Sequence, residues 1–281
     1  MKHSSFDKKA CFTLKLISFF TTAVSVVMLV FIIGYVIFGG ADKITLSLLF
    51  GDGKQSPSVL PALAGTVRLI FIAIIIAVPL GIGSAIYLAE YSNKSGGFVK
   101  VVRIATETLA GIPSIVYGLF GYLVFVVAFK MGYTILGGGI TLAVMILPVI
   151  VRSTEESLLS VPDALREGSY ALGAGKARTI FTVVLPSCAG GIVTAIILSV
   201  GRVISESAVL ILTIGMVVNK MPSSALSPGT SLALDIYYFA SHGYPSEAAA
   251  TGVVLMVLVL IVNGIAALAG KLIARKTGEV L

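Results

Sequence analysis

Two oppositely charged residues, Arg202 and Glu206, lie inside an otherwise apolar stretch of this sequence and are its best candidates for chemistry. Their spacing of four predicts that both side chains share one helix face. An arginine at membrane depth costs on the order of 3 kcal/mol to insert, so it is usually paired and functional. Two roles remain open. Either the pair only ties helices together, or Arg202 lines a pathway where its planar guanidinium meets a tetrahedral oxyanion while Glu206 holds it in place.

Other charged residues border the apolar stretches. Arg68 lies near the outer end of one stretch, where it either snorkels to the membrane surface or guides anions. Arg103 and Glu107 repeat the spacing of four, which predicts a second ion pair with a structural role. Three residues close another apolar stretch, where they either anchor the helix, couple its motion to another subunit, or simply face water: Arg152, Glu155 and Glu156.

Several enzyme classes are disfavoured by what the sequence lacks. Residues 175–177 read Gly-Lys-Ala, and no GxxxxGK[ST] phosphate loop occurs, so ATP cannot bind by that route. The only histidines are His3 and His242, neither in an apolar stretch, which argues against a histidine-built metal site or an intramembrane serine enzyme. Cys11 and Cys188 are far apart and predict no disulfide. We predict no catalytic residue, no metal and no cofactor.

The elements that must position these charges are membrane helices. Of the 281 residues, 57% are hydrophobic and 12% are charged, about half the charged share of a soluble domain. Apolar runs of about 20 residues predict an all-α polytopic protein embedded in the lipid bilayer. Six transmembrane helices are predicted, at about residues 14–38, 63–89, 102–129, 135–151, 186–215 and 251–272. Pro79, Pro113 and Pro148 would interrupt three of them, which favours a packed transporter core over a lipid-facing anchor.

The net charge of +7 could suggest nucleic acid, but its distribution indicates membrane orientation instead. Lys and Arg concentrate in residues 1–13, in the segments after the second and fourth spans, and in residues 273–281. The opposite segments hold only four of them: Lys43, Lys54, Lys130 and Lys220. We therefore predict no nucleic-acid partner, cytoplasmic tails at both termini, and outer loops that include residues 39–62.

A polar interruption, REGSYALGAGKARTIFTVVLP from Arg166 to Pro186, lies in the longest predicted cytoplasmic loop, residues 153–185. A helix from Asp163 to about Leu172 is predicted to end at Gly173, because glycine accepts the left-handed conformation of a helix C-terminus. A second short helix follows, and Pro186 suits the first turn of the fifth span. Taken alone, this helix–turn–helix could be an amphipathic connector.

The loop resembles the EAA loop of ABC importer permeases, whose pattern is E-A-A-x-x-x-G, nine residues, then I-x-L-P. Here it reads E-G-S-Y-A-L-G, nine residues, then V-V-L-P. The resemblance implies a type I ABC importer permease fold over residues 63–272, with the loop seated as a coupling helix in a groove of a separate ATPase subunit. The residues carried over to that role are Glu167, Gly168, Ser169, Gly173, Leu185 and Pro186.

Further stretches resemble the A-type permease of bacterial phosphate importers, among them residues 78–91, 107–121, 147–174, 201–213 and 231–240. This resemblance implies a non-enzymatic subunit of the bacterial cytoplasmic membrane that translocates inorganic phosphate. Its implied partners are a C-type phosphate permease subunit in a heterodimer, two ATPase copies and an extracytoplasmic phosphate-binding protein. Three alternatives stay open: the C-type subunit, a permease for sulfate, molybdate or phosphonate, and a secondary transporter.

Overall fold

The N-terminal third contains two long apolar helices. The structure, a computed structural model, describes residues 3–51, 58–92 and 96–277, so Lys54 of the orientation argument lies outside the described residues. Helix α1 spans His3–Gly40, a 3₁₀ turn covers Ala41–Lys43, and a short helix α2 covers Leu46–Phe50. Helix α3 spans Leu60–Ile86 and continues as one π-helical turn, Tyr87–Tyr91. Pro79 lies inside α3 without breaking it, contrary to prediction.

The predicted third span is broken near its start. Helix α4 spans Gly97–Ala110, and α5 spans Ser114–Gly121 with a π-helical continuation, at 101° to α4. The bend falls at Pro113, which lacks an N–H and disfavours helical backbone in the residue before it. The Tyr117 hydroxyl donates to the Leu109 carbonyl across the bend at 2.7 Å. The predicted third span is therefore two helices bent by 101° rather than one continuous helix.

Helix α6 spans Ile135–Leu159, so it continues past the predicted end of the fourth span at residue 151 and into the predicted cytoplasmic loop, residues 153–185. Pro148 lies inside α6 and does not interrupt it. The loop itself forms three short helices: α7 over Asp163–Ala171, α8 over Lys176–Thr179 and α9 over Leu185–Ser187, with a π-helical turn between α8 and α9.

The fifth span begins later than predicted. Helix α10 spans Ala189–Ser205, and the helical run before it bends away by 68° at Cys188. Pro186 thus closes the loop helix instead of opening the span. The bend brings Gly191 against Ser157 of α6, where an added Cβ would lie 2.2 Å from the serine Oγ.

The segment after α10 contains two short helices, and the first of them lies within the predicted fifth span, residues 186–215. Helix α11 covers Ala208–Thr213 and α12 covers Leu232–Ser241, before the long last helix α13, Pro245–Thr277. Within the described residues, four helices are long and apolar enough to cross a membrane, and each bent pair adds one span to reach six. No strand occurs among the described residues.

The core lies between α3 and α6, and α4, α5, α10 and α11 pack on this pair, whereas α1 packs on α13. Gly139 faces Ile72 so closely that an added Cβ would lie 2.6 Å from the isoleucine Cγ2, and Gly81 faces Ile150 in the same way. Such contacts matter because lipid supplies no hydrophobic force between helices, and close packing must hold them. The apolar window of α6 is 67% buried within the chain, whereas that of α1 is 0% buried, so α1 lies at the periphery of the helix bundle.

Candidate functional site: the coupling loop and the charges around it

Much of the coupling loop surface is open, as docking to another subunit requires. Glu167 and Gly168 are exposed on α7, and an added Cβ at residue 168 would meet nothing within 4 Å. Leu172 ends the helix with 91% of its surface exposed, a large apolar side chain without cover. Gly173 has φ +82°, so the predicted left-handed turn is confirmed. These residues form a loop surface that nothing else in the described chain covers.

Ser169, also predicted to face a partner, turns inward instead. Its Oγ lies 2.8 Å from the Oγ1 of Thr179, which is fully buried. The serine therefore joins α7 to α8. Leu185 and Pro186 are half-buried where α9 turns into the membrane.

Arg166 is the most densely bonded side chain of the loop, and the sequence analysis assigned it no role. Its Nε and Nη2 donate to one oxygen of Glu90 at 3.1 and 2.7 Å. It also donates to the carbonyls of Leu158 and Val161 and to Asp163. Burial works to lower the pKa of Arg166, but the hydrogen bond and charge of Glu90, aided by Asp163, raise it overall. The guanidinium stays protonated and fixed.

Five charged residues gather where α4 meets the C-terminal part of α6, but the predicted pair does not form. Arg103 donates from Nε and Nη2 to one oxygen of Glu155, at 2.9 and 2.6 Å, so the predicted pair with Glu107 is wrong. Arg152 bonds Glu156 at 3.0 Å and lies 3.9 Å from Glu107. Together these residues line a cavity of about 210 Å³.

The pair Arg202 and Glu206 does not share a helix face, because α10 ends at Ser205. Glu206 has extended backbone, and its Oε1 accepts the N–H groups of Ala208 and Val209 at 3.1 and 3.3 Å, capping the start of α11. Within the part of the chain that the structure describes, the half-buried Arg202 guanidinium has no hydrogen-bond or ion-pair partner. The Arg202 guanidinium can therefore bond a group that does not belong to this chain.

Arg68 is tied to the outer loop. Its Nη1 donates to the Pro222 carbonyl at 2.7 Å. Two residues before Arg68, the Oγ1 of Thr66 accepts the Leu232 N–H at 3.0 Å, and a Cβ on Gly65 would lie 1.9 Å from the Thr230 carbonyl oxygen. The N-terminal part of α3 is thus bound to the segment before α12 by two hydrogen bonds and one close backbone contact. A guiding role for Arg68 stays a prediction.

Asp235 on α12 is a second residue that sequence reasoning missed, although a lone acid in the apolar run SLALDIYYFA is a readable signal. Its side chain is fully buried, and Thr230 donates its hydroxyl to Oδ1. Its Oδ2 has no hydrogen-bond partner among the described residues. Burial raises the pKa of Asp235 from 3.8 to about 7, against the smaller lowering by the Thr230 hydrogen bond.

The same helical arrangement occurs in solved transporters. The chain superimposes with a TM-score of 0.69 on a subunit of a bacterial alginate ABC transporter, at 16% identity over 96% of both chains. With a subunit of the inward-facing MetNI methionine ABC transporter the TM-score is 0.58, at 23% identity over 78% of this chain and 94% of the other. The fold is therefore that of a type I ABC importer permease.

Relatives with similar sequences are also named as ABC transporter permeases, and some of them are named as phosphate permeases. A probable ABC transporter permease protein of Bacillus subtilis, YqgI, is 35% identical over 90% of this chain and 92% of its own length. The phosphate transport system permease protein PstA of Yersinia pestis is 38% identical over 80% and 77%. PstA of Mycobacterium leprae is 42% identical over 55% and 50%.

Residues 77–276 match the family described as the binding-protein-dependent transport system inner membrane component. The chain belongs to this family, and it is a PstA-like ABC permease, a multi-pass membrane component of an importer.

Proposed function

We propose that this chain translocates inorganic phosphate across the bacterial cytoplasmic membrane as the A-type subunit of its importer. The observation that carries the proposal is the Arg202 guanidinium, half-buried within a membrane helix bundle and without a hydrogen-bond or ion-pair partner among the described residues. An unpaired cation in that setting is expensive and is retained where an anionic substrate meets it. Relatives named as phosphate permeases supply the substrate, since a guanidinium binds phosphate and sulfate alike.

The open loop surface supports the proposed partners. Exposed Glu167 offers a charge to a basic residue, and Gly168 allows close approach by an ATPase subunit that supplies the hydrolysis this chain does not perform. Two ATPase copies, a C-type permease and an extracytoplasmic phosphate-binding protein complete the proposed assembly. Both termini then lie in the cytoplasm.

The experiment is uptake by cells or proteoliposomes that carry the assembled transporter, with radiolabelled phosphate in one arm and sulfate in the other. We expect phosphate uptake, with sulfate at background. Arg202→Gln should abolish uptake while the ATPase subunit still co-purifies, and the exposed outer cation Lys130 serves as the control through Lys130→Gln. Normal uptake by Arg202→Gln would exclude the pathway role, and uptake of sulfate alone would exclude phosphate as the substrate.

A further inference from the structure

The end of α3 holds the coupling loop through a buried ion pair. Arg166 and Glu90 are 76 residues apart in sequence, and their side chains are only 13% and 6% exposed. Charge-assisted hydrogen bonds of this kind are about twice as strong as neutral ones, and removing one partner strands a buried charge. Arg166 also donates to the Leu158 carbonyl near the end of α6 and to the Val161 carbonyl of the loop, so it ties α7 to the end of α6 as well as to Glu90.

A second contact joins the loop to Tyr91, the residue that follows Glu90. The Lys176 ammonium of α8 lies 4.9 Å from the centre of the Tyr91 ring, within range of a cation–π interaction. Helices α7 and α8 of the loop therefore contact adjacent residues, 90 and 91, in the π-helical turn that continues α3. The loop has no direct covalent connection to that helix. We call the Arg166–Glu90 and Lys176–Tyr91 contacts the loop clamp.

The other end of α3 holds the outer loop. Gly65, Thr66 and Arg68 contact the segment 222–232, as described above. From Arg68 to Glu90 the helix covers 22 residues, about 33 Å at 1.5 Å per residue. Along this length α3 packs on α6 through close glycine contacts, so it moves as one body. One helix therefore connects the cytoplasmic loop to the extracytoplasmic loop.

We propose that Arg166 is a positioning residue for coupling: through Glu90 it makes α3 follow the coupling loop, and α3 carries that displacement to the outer loop at residues 222–232. The loop is covalently continuous with only α6 and α10, so the clamp adds a third span to those that the ATPase moves. The inference rests on the proposed docking of an ATPase at the loop, but not on the identity of the substrate.

The decisive variant is Glu90→Ala, because it removes the bridge to α3 and leaves the bonds of Arg166 within the loop. In the complete transporter we expect the number of substrate ions moved per ATP hydrolysed to fall at least about fivefold, with the ATPase subunit still co-purifying. Arg166→Gln should act in the same direction. The matched control is Asp163→Ala, which removes a bond to the same guanidinium from a carboxylate that is 84% exposed, with an effect within about twofold.

A distance measurement separates coupling from simple loss of stability. Spin labels at the exposed residues Ile75 of α3 and Phe181 of the loop should keep their separation on ATP binding in the wild type. In Glu90→Ala the separation should change by about 2 Å or more, since the loop then moves without α3. An unchanged ratio of transport to hydrolysis, or an unchanged separation in the variant, would overturn the proposal.

Different results would contradict the proposed phosphate transport and the proposed coupling role of Arg166. If the wild type hydrolyses ATP but moves no phosphate, the proposed substrate is wrong, while the spin-label arm still tests the clamp. If no ATPase binds the intact chain, the proposed function and the coupling role fall together.

Discussion

Replacing the buried Asp235 by asparagine should change how the stability of the protein depends on pH. The carboxyl has a pKa of about 7 in the folded protein and 3.8 ordinarily. Between these values the folded chain holds a proton that the unfolded chain has lost, so stability falls as pH rises toward 7 and levels off above it. Below pH 3.8 the stabilising contribution is complete.

The magnitude follows from the two pKa values. Each unit of difference corresponds to about 1.4 kcal/mol, so the full change is about 4 kcal/mol. From pH 5.5 to pH 8 the loss is about 2 kcal/mol, because only the interval up to pH 7 contributes. Asparagine has nearly the same shape, can still accept the Thr230 hydroxyl, and cannot ionise. For a chain of this size the difference amounts to about 4–8 °C in melting temperature.

The assay is thermal unfolding in nanodiscs at several pH values, with the wild type and Asp235→Asn side by side. The melting temperature of the variant minus that of the wild type should rise by the stated amount between pH 5.5 and 8. Taking the difference removes the other titrating groups, and Asp42→Asn, at an exposed aspartate, should give a flat difference. A flat difference for Asp235→Asn as well would refute the reasoning.

Three further substitutions, the last with a control substitution beside it, test the packing and charge contacts. Gly65→Ala should lower stability by about 1–3 kcal/mol and disturb the outer loop, because its Cβ would lie 1.9 Å from the Thr230 carbonyl oxygen, as measured by unfolding and by protease sensitivity of that loop. Gly173→Ala should weaken co-purification of the ATPase, since φ +82° strains any residue with a Cβ by about 1 kcal/mol or more. Glu155→Gln should destabilise by about 1–2 kcal/mol, while Glu156→Gln in the exposed pair changes unfolding by less than about 1 kcal/mol.

The coupling loop was predictable because its signals are local. A glycine that ends a helix, such as Gly173, acts through its own backbone, and long apolar runs indicate spans by length alone. The break at Pro113 was visible as an interruption, but a sequence does not give the angle. Proline is tolerated within α3 and α6, where packing against neighbouring helices holds the backbone, so Pro79 and Pro148 had no comparable effect.

The charge pairs were not predictable, since a side chain four residues away competes with partners from anywhere in the chain. Arg103 bonds Glu155, 52 residues distant, and Arg166 bonds Glu90. Glu206 was misplaced because neither glycine nor proline marks the end of α10. An acidic residue just before a new apolar helix is a capping signal, and it could have been interpreted that way.

Helix α1 packs chiefly on α13, the last helix of the chain, where Val36 meets Gly252 and Gly40 meets the backbone at Ala249. A ribosome delivers the chain from its N-terminus. Helix α1 therefore cannot pack on α13 until the ribosome has made all the helices between them. The degree of α1 attachment thus reports whether synthesis and insertion have passed α13.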